Sequence, residues 1–298
     1  MRQIKIKPYG NIGNQLFQYM LALAIKFRSG VPIVITGLDI PSFGINKVKD
    51  NREETFGIEI KSHIVPLNTL SNLVKETRHI EIKLSFLSSR MAYYTPHIAA
   101  YKKLIKLKGK HQNGYDEKHI VINVRGGEIL TGAHKNYMPI PIFWYEYIIR
   151  KTGLKPVFIG QLGDDKYSNQ LKKQFPDALY PKFESWEDDF NVINTSVNII
   201  PAVSTFSWLA SWLSETAKNI YFPVMGLYHP LARPDIDMLP FDDMRYHFTL
   251  FDIKTWHDVD ETIEMLISSD IAFEELSGCD LIEKFPLHLA TEGLEVWK

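Results

Sequence analysis

Cysteine is almost missing from this chain. Cys279 stands alone among 298 residues, so no intramolecular disulfide can form, and neither a thiolate zinc site nor a redox pair is available. A reducing cytosol is the expected compartment. Charge of either sign is not in excess: 34 lysines and arginines face 35 aspartates and glutamates, a formal net charge of −1. No global field draws the protein to nucleic acid, and an anionic ligand must be held locally. The opening residues, MRQIKIK, alternate charge with apolarity and lack the apolar block of a secretory signal. Nor does any apolar run reach bilayer-spanning length. The ten histidines show no H-E-x-x-H or similar ligand spacing, so a metal site has no support, and G-x-S-x-G and Walker A patterns are missing as well.

What is present is an ordinary soluble composition, 45% hydrophobic and 23% charged, in a chain longer than one core usually serves. Two domains are expected. Residues 3–7 alternate as a strand, a turn follows at Pro8 and Gly10, 15–27 carry the apolar pattern of a helix covered on several sides, and 32–35 read as a second strand. Strand, helix, strand over roughly thirty residues is a βαβ unit with parallel strands. Between 39 and 110 the pattern weakens to two helices, at 69–76 and 98–107. The polar run 107–118 marks the boundary, giving domains 1–117 and 118–298, with the C-terminal tail packing back on the first. The second half has strands at 119–124, 156–160, 197–200 and 219–222. Its helices fall at 142–151, 166–175, 186–193 and 206–217, with a further one at 261–268, so this too is an α/β domain.

In open parallel sheets ligands bind beyond the carboxyl ends of the strands, and three such places carry suitable residues. The turn Gly10 to Gln15 has two glycines, Gly10 and Gly13, that allow close backbone approach, with Asn14 and Gln15 as amide donors. It equally reads as a tight turn with Asn14 capping the helix. In NVRGGE, Asn123 to Glu128, Arg125 follows a buried strand and two glycines clear its approach to an anion; a salt bridge to Glu128 is the competing reading. In NIIPAVSTFSWLASWL a strand runs into Ser204, Thr205 and Phe206 at a helix start, where free N–H groups and the helix dipole suit a phosphate, although Ser and Thr also favour such positions as plain caps. Trp208 and Trp212, four apart, read as core. The acidic pairs at 164/165, 188/189 and 242/243 fit solvated turns better than a cation site. The basic run Lys102, Lys103, Lys106, Lys108 and Lys110 reads as a solvated helix face, with a membrane-surface contact as the second reading.

Together these segments resemble the bacterial α-1,2-fucosyltransferase-like glycosyltransferases of the GDP-fucose-dependent superfamily. GNIGNQLFQYMLALAIK is similar to that family's G-x-x-G-N-Q-x-F-Q-Y motif. NVRGGE stands where the family carries H-x-R-R-G-D, and EDDFNVI with STFSWLASWLS is similar to its D-D-F and S-x-F-S-W-W-x-A-W-L blocks. The resemblance implies an α/β fold of GT-B type, two Rossmann-like domains facing a central cleft, and inverting transfer from a nucleotide sugar without a metal or other cofactor. Arg125 would meet the donor's β-phosphate, Ser204, Thr205 and Phe206 would surround the diphosphate, and Gly10, Gly13, Asn14, Gln15 and Asn123 would complete the donor site. Glu128 or His134 would serve the acceptor hydroxyl as base. GDP-fucose is the first donor expected and a glycan or lipid-linked oligosaccharide the acceptor, in surface polysaccharide (O-antigen) synthesis at the cytosolic face of the inner membrane. The chain departs from the family at Asn123, Gly126 and Glu128, where the family has His, Arg and Asp. Those changes open two alternatives, a different nucleotide sugar and a binding module without catalysis.

Overall fold

The computed structural model describes residues 2–48, 57–133, 138–254, 256 and 258–286. Contacts divide the chain into two units. The first runs to Gly109 and takes in Asp235–Leu239; the second comprises Lys110–Pro234 and Pro240–Phe285. Each is a Rossmann-like α/β unit on a largely parallel sheet, the fold class expected.

In the first unit β1 (Arg2–Ile6), α1 (Ile12–Ser29) and β2 (Val34–Thr36) form the expected βαβ crossover, with Ile4 opposite Ile35. Leu16, Phe17, Met20, Leu21 and Ala24 bury α1 almost completely, each large side chain contributing about 1.5–3 kcal/mol. The helix stops where Gly30 takes a left-handed φ of 66° and its N–H donates to the Lys26 carbonyl, a conformation that suits glycine. Then come β3 (Gly57–Ile60), α2 (Leu67–Glu76), β4 (Ile80–Leu84) and α3 (Ile98–Leu104), with sheet order β2-β1-β4-β3, all parallel. Neither β3 nor β4 was legible in the weak stretch 39–110. The helix expected to reach 107 ends at Leu104, because Ile105 turns inward to be buried and the Lys108 N–H is taken by the Ser42 carbonyl at 2.8 Å.

The segment Asp235–Leu239 joins this unit by pairing with Arg90. The Met91 N–H donates to the Asp237 carbonyl at 2.9 Å and the Asp237 N–H to the Ser89 carbonyl at 2.8 Å. Burial pushes the Asp237 carboxyl up to about 7, against the opposing pull of the Leu239 amide and the Arg90 charge.

The second unit contains β5 (His119–Val124), α4 (Ile142–Thr152), β6 (Lys155–Gly160), α5 (Lys166–Gln174), α6 (Trp186–Thr195), β7 (Asn198–Ile200) and α7 (Thr205–Trp212). It continues through β8 (Asn219–Val224), β9 (Tyr246–Phe251), α8 (Val259–Ile267), β10 (Phe273–Leu276) and α9 (Gly278–Lys284). Strand order is β6-β5-β7-β8-β9-β10, parallel apart from the antiparallel edge strand β10. That edge is charged: Glu275 pairs with Lys151 and Glu274 with Lys284, both at 2.5 Å, which blunts edge-to-edge association. The residues as far as Phe285 belong to this unit; the tail beyond 286, expected to pack on the first domain, lies outside the described residues.

The helix expected over 206–217 ends at Trp212. The Ser214 hydroxyl donates to the Asn194 carbonyl at 2.5 Å and receives the N–H groups of Thr216 and Ala217. Arg245 meanwhile donates to the carbonyls of Trp212 and Ser214, at 3.2 and 2.6 Å. These bonds satisfy the groups a longer helix would have paired.

Each sheet has one switch point where the chain leaves to either side: between β1 and β4, and between β5 and β7. At the first, Gln18 of α1 is wholly buried. Its Nε2 donates to the carbonyls of Lys7 (2.8 Å) and Leu84 (3.1 Å), and its Oε1 accepts the Tyr9 N–H at 3.0 Å. One amide therefore closes the ends of both central strands. Gln18→Leu strands the Tyr9 N–H and the Lys7 carbonyl, while the Leu84 carbonyl keeps the Lys7 N–H at 2.9 Å, and is expected to cost about 2–3 kcal/mol, seen in urea denaturation as a lower midpoint with unchanged slope.

Candidate functional site

At the carboxyl end of β5 the chain passes from buried Val124 to Arg125, whose side chain is 25% exposed. Gly127 takes φ +62°, the turn brings Glu128 back, and the two side chains form an ion pair through Nη2 and Oε1. The competing reading of this motif is therefore realised: Glu128 holds and orients Arg125. The pair leaves much of the guanidinium's donor capacity unspent. Its Nε is buried without a hydrogen-bond partner among the described residues. Arg125 also lines a void of about 10 Å³ with Ile129, Ala202 and Val203, roughly the space of one water.

The departure at Gly126 has a steric cause. A Cβ there would lie 2.8 Å from the Gln161 carbonyl oxygen, and the Gly126 N–H donates to Gln161 Oε1 at 3.1 Å. No second arginine fits this backbone. Asn123 is 5% exposed, packed against Gly160, where an added Cβ would meet its Nδ2 at 2.7 Å.

Across the switch point, β7 leads through Ala202 and Val203 into α7. Ser204 is the N-cap, its Oγ accepting the Ser207 N–H at 3.1 Å, while the Ser207 hydroxyl accepts the Ala202 N–H at 3.0 Å. The Ser204 N–H in turn donates to the hydroxyl of buried Tyr228 at 2.9 Å, and that hydroxyl faces the carbonyls of Ser204 (2.8 Å) and Ala202 (3.1 Å). Ser204 is thus spent on the turn itself, and what α7 offers an anion is its first turn from Thr205, at the positive end of the dipole. Phe206 is partly buried against Trp186 and Phe190, edge-on at 6.3 and 5.5 Å, so its ring packs α6 onto α7. Trp208 and Trp212 stack in the core, as read from their spacing.

At the end of β6, the strand next to β5, lies a cavity of about 360 Å³ lined by Gly160, Leu162, Lys172, Tyr180, Phe183 and Asp189 among others. Its size suits a small ligand, and it joins aromatic surface to convergent charge. The carboxyl of Asp189 is pushed up to about 6 by burial and by neighbouring Asp188, opposed by a hydrogen bond from the Gly160 amide. The sequence pattern had placed this acid among solvated helix starts. Three of the other five members of those pairs serve locally: Asp165 caps α5, Asp188 accepts the Gln112 N–H at 2.9 Å, and Asp243 binds Arg245.

Gly10, Gly13, Asn14 and Gln15 belong to the first unit. The N-cap of α1 is Asn11, not Asn14, and Asn14 sits inside the first turn. Gly10 takes φ +65°, with its carbonyl accepting Gln15 Nε2 at 2.9 Å. Arg125, Glu128 and the Ser204 turn share one sheet edge, whereas the glycine turn stands on the other unit's sheet. His134 lies outside the described residues. Among the described residues no cluster of His, Cys, Asp or Glu is placed to hold a metal, and no helix is long and apolar enough to cross a membrane.

Neither a family model nor a curated protein matches the chain. Among solved structures, the Escherichia coli ADP-heptose lipopolysaccharide heptosyltransferase II is similar at 12% identity and a TM-score of 0.45, over 98% of this chain and 100% of that one. E. coli heptosyltransferase WaaC with ADP is similar at 13% identity and a TM-score of 0.38, over 75% of this chain and 87% of that one.

Two expectations follow from the site's geometry. Tyr228→Phe removes a buried hydroxyl bonded to the Ser204 N–H and to the carbonyls of Ser204 and Ala202; the Ser204 N–H keeps the Ala202 carbonyl at 2.8 Å, so the cost should be about 1 kcal/mol in denaturation experiments. A carboxyl with a raised native pKa holds its proton more tightly folded than unfolded. The Asp189 contribution to stability therefore declines as pH rises from about 4, the ordinary carboxylate value, to about 6, and is constant above. Asp189→Asn should flatten the stability profile across that window and be the more stable form at pH 7, measured by urea midpoints at pH 4.5 and 7.

Proposed function

We propose that the protein is a nucleotide-sugar-dependent glycosyltransferase of the GT-B kind, working without a metal and transferring a sugar with inversion to a glycan or lipid-linked oligosaccharide in surface polysaccharide synthesis. The observation that carries this reading is the pairing, at one switch point, of Arg125 after β5 with the start of α7 after β7. A nucleoside diphosphate leaving group gains charge in the transition state, and fixed donors that meet this charge lower the barrier. The guanidinium and the helix dipole supply that charge, and the adjoining cavity of about 360 Å³ suits the nucleoside. Glu128 serves by holding the guanidinium in place.

GDP-fucose is the first donor in this reading. The steric exclusion of a side chain at Gly126 favours a second one, a different nucleotide sugar, since only one of the two arginines of the resembled motif is present. A third, a binding module without catalysis, predicts donor binding with no transfer.

Calorimetric titration with GDP, UDP, ADP and their sugars should give one clear preference, and absence of heat with all of them would end the proposal. Arg125→Ala should lower turnover about 10²–10³-fold, with chelator leaving the wild-type rate unchanged. Near-normal kinetics in that variant would make Arg125 structural.

A further inference from the structure

Four side chains from distant parts of the sequence meet at the carboxyl edge of the first unit's sheet. Tyr9 follows β1, Phe86 follows β4, His63 precedes α2, and Asp235 arrives with the segment that returns to this unit. The rings of Tyr9 and Phe86 lie 4.6 Å apart at 57°, and His63 meets Phe86 edge-on at 4.8 Å and 72°. His63 Nε2 is 3.9 Å from Asp235 Oδ2. The Tyr9 and Asp235 side chains are each 43% exposed, while His63 is buried beneath them.

This is a rigid surface. The Tyr9 backbone is held by Gln18, and the next residue, Gly10, is fixed by its left-handed φ and by Gln15. The Asp235 backbone is held in turn by Arg90, whose Nη1 donates to its carbonyl at 3.1 Å. Tyr9, 43% exposed, lies against the half-buried Phe86, and partly open aromatic surface of this kind at a switch point points to a ligand. Flat aromatic surface beside a carboxylate matches a pyranose, whose C–H face packs on a ring while its hydroxyls donate to the carboxylate oxygens. The negative charge of Asp235 disfavours a phosphate-bearing ligand at the same place.

We infer that this edge is a saccharide subsite: Tyr9 and Phe86 carry the apolar face of a neutral pyranose ring, and Asp235, positioned by His63, accepts its hydroxyls. Under the glycosyltransferase reading that sugar is the terminal residue of the acceptor, and in this the inference rests on that reading; the binding itself does not.

Saturation-transfer NMR with methyl β-galactoside, methyl β-glucoside and methyl β-N-acetylglucosaminide as probes tests it. At least one glycoside should receive transfer through its ring C–H protons. Tyr9→Ala and Asp235→Asn should each weaken its Kd by about threefold to tenfold, with Tyr9→Phe close to wild type and melting temperatures unchanged. Nucleotide-sugar binding, which belongs to the second unit, should be unaffected. No transfer to any of the three glycosides, or equal transfer in wild type, Tyr9→Ala and Asp235→Asn, would overturn the inference. Tyr9-dependent glycoside binding together with no binding of any nucleotide sugar would instead sink the donor reading and leave this subsite standing.

Discussion

A parallel sheet covered on both faces must stop somewhere, and where its central strands stop, buried backbone groups need partners. That constraint governs both units. In the first, Gln18 answers it by binding the ends of β1 and β4 and the Tyr9 amide with one side chain. In the second, Tyr228 does the same for the β7 to α7 turn, one phenol serving the amide of Ser204 and the carbonyls beside it. Both are large side chains with a polar head, buried to the tip. Because the ends are satisfied from beneath, the loops above them are free to point their own groups at a ligand. The fold and the candidate sites thus have a common cause.

The same view separates what the sequence made legible from what it did not. β5 and the short β7, buried on both faces, and α1 of the first unit, buried on nearly every side, show as apolar runs. β3, half exposed, and β4, broken by Glu81 and Lys83, show no such run among scattered charges, and β9 and β10 passed unassigned. The end of α7 was missed because Arg245, distant in sequence, takes the Trp212 carbonyl, and the Ser214 hydroxyl takes the amides that follow. Arg125, Glu128 and Ser204 could be picked out by residue type after a strand. Asp189 could not: its special status comes from burial beside Asp188 and Gly160, which no spacing reveals. Tyr9, Phe86, His63 and Asp235 are likewise joined only by topology.

Local electrostatics would let a nearly neutral chain hold the anion that the proposed function places at Arg125. The Arg125–Glu128 pair is half open to solvent on its acidic side, and such pairs hold little energy. An arriving phosphate brings more negative charge than a carboxylate and more acceptor oxygens, so it can share the guanidinium fork or displace Glu128 from it at small cost. Glu128 keeps the long arginine side chain ordered. The entropy of fixing that side chain is then spent during folding instead of during binding.

Gly126 sharpens the consequence. With the Gln161 backbone filling the space next to it, the motif can hold only one arginine, so under the proposed function the charge on a leaving diphosphate would be met by Arg125 and the start of α7 alone. Both are fixed by neighbours: Arg125 by its pairing with Glu128 at the other end of the motif, α7 by Tyr228 and by the Ser204–Ser207 cap. A site with fewer cations depends more heavily on how rigidly each is held. The departures from the resembled motif and the interlocked turn around Ser204 are therefore one arrangement, in which preorganisation stands where a second charge would be.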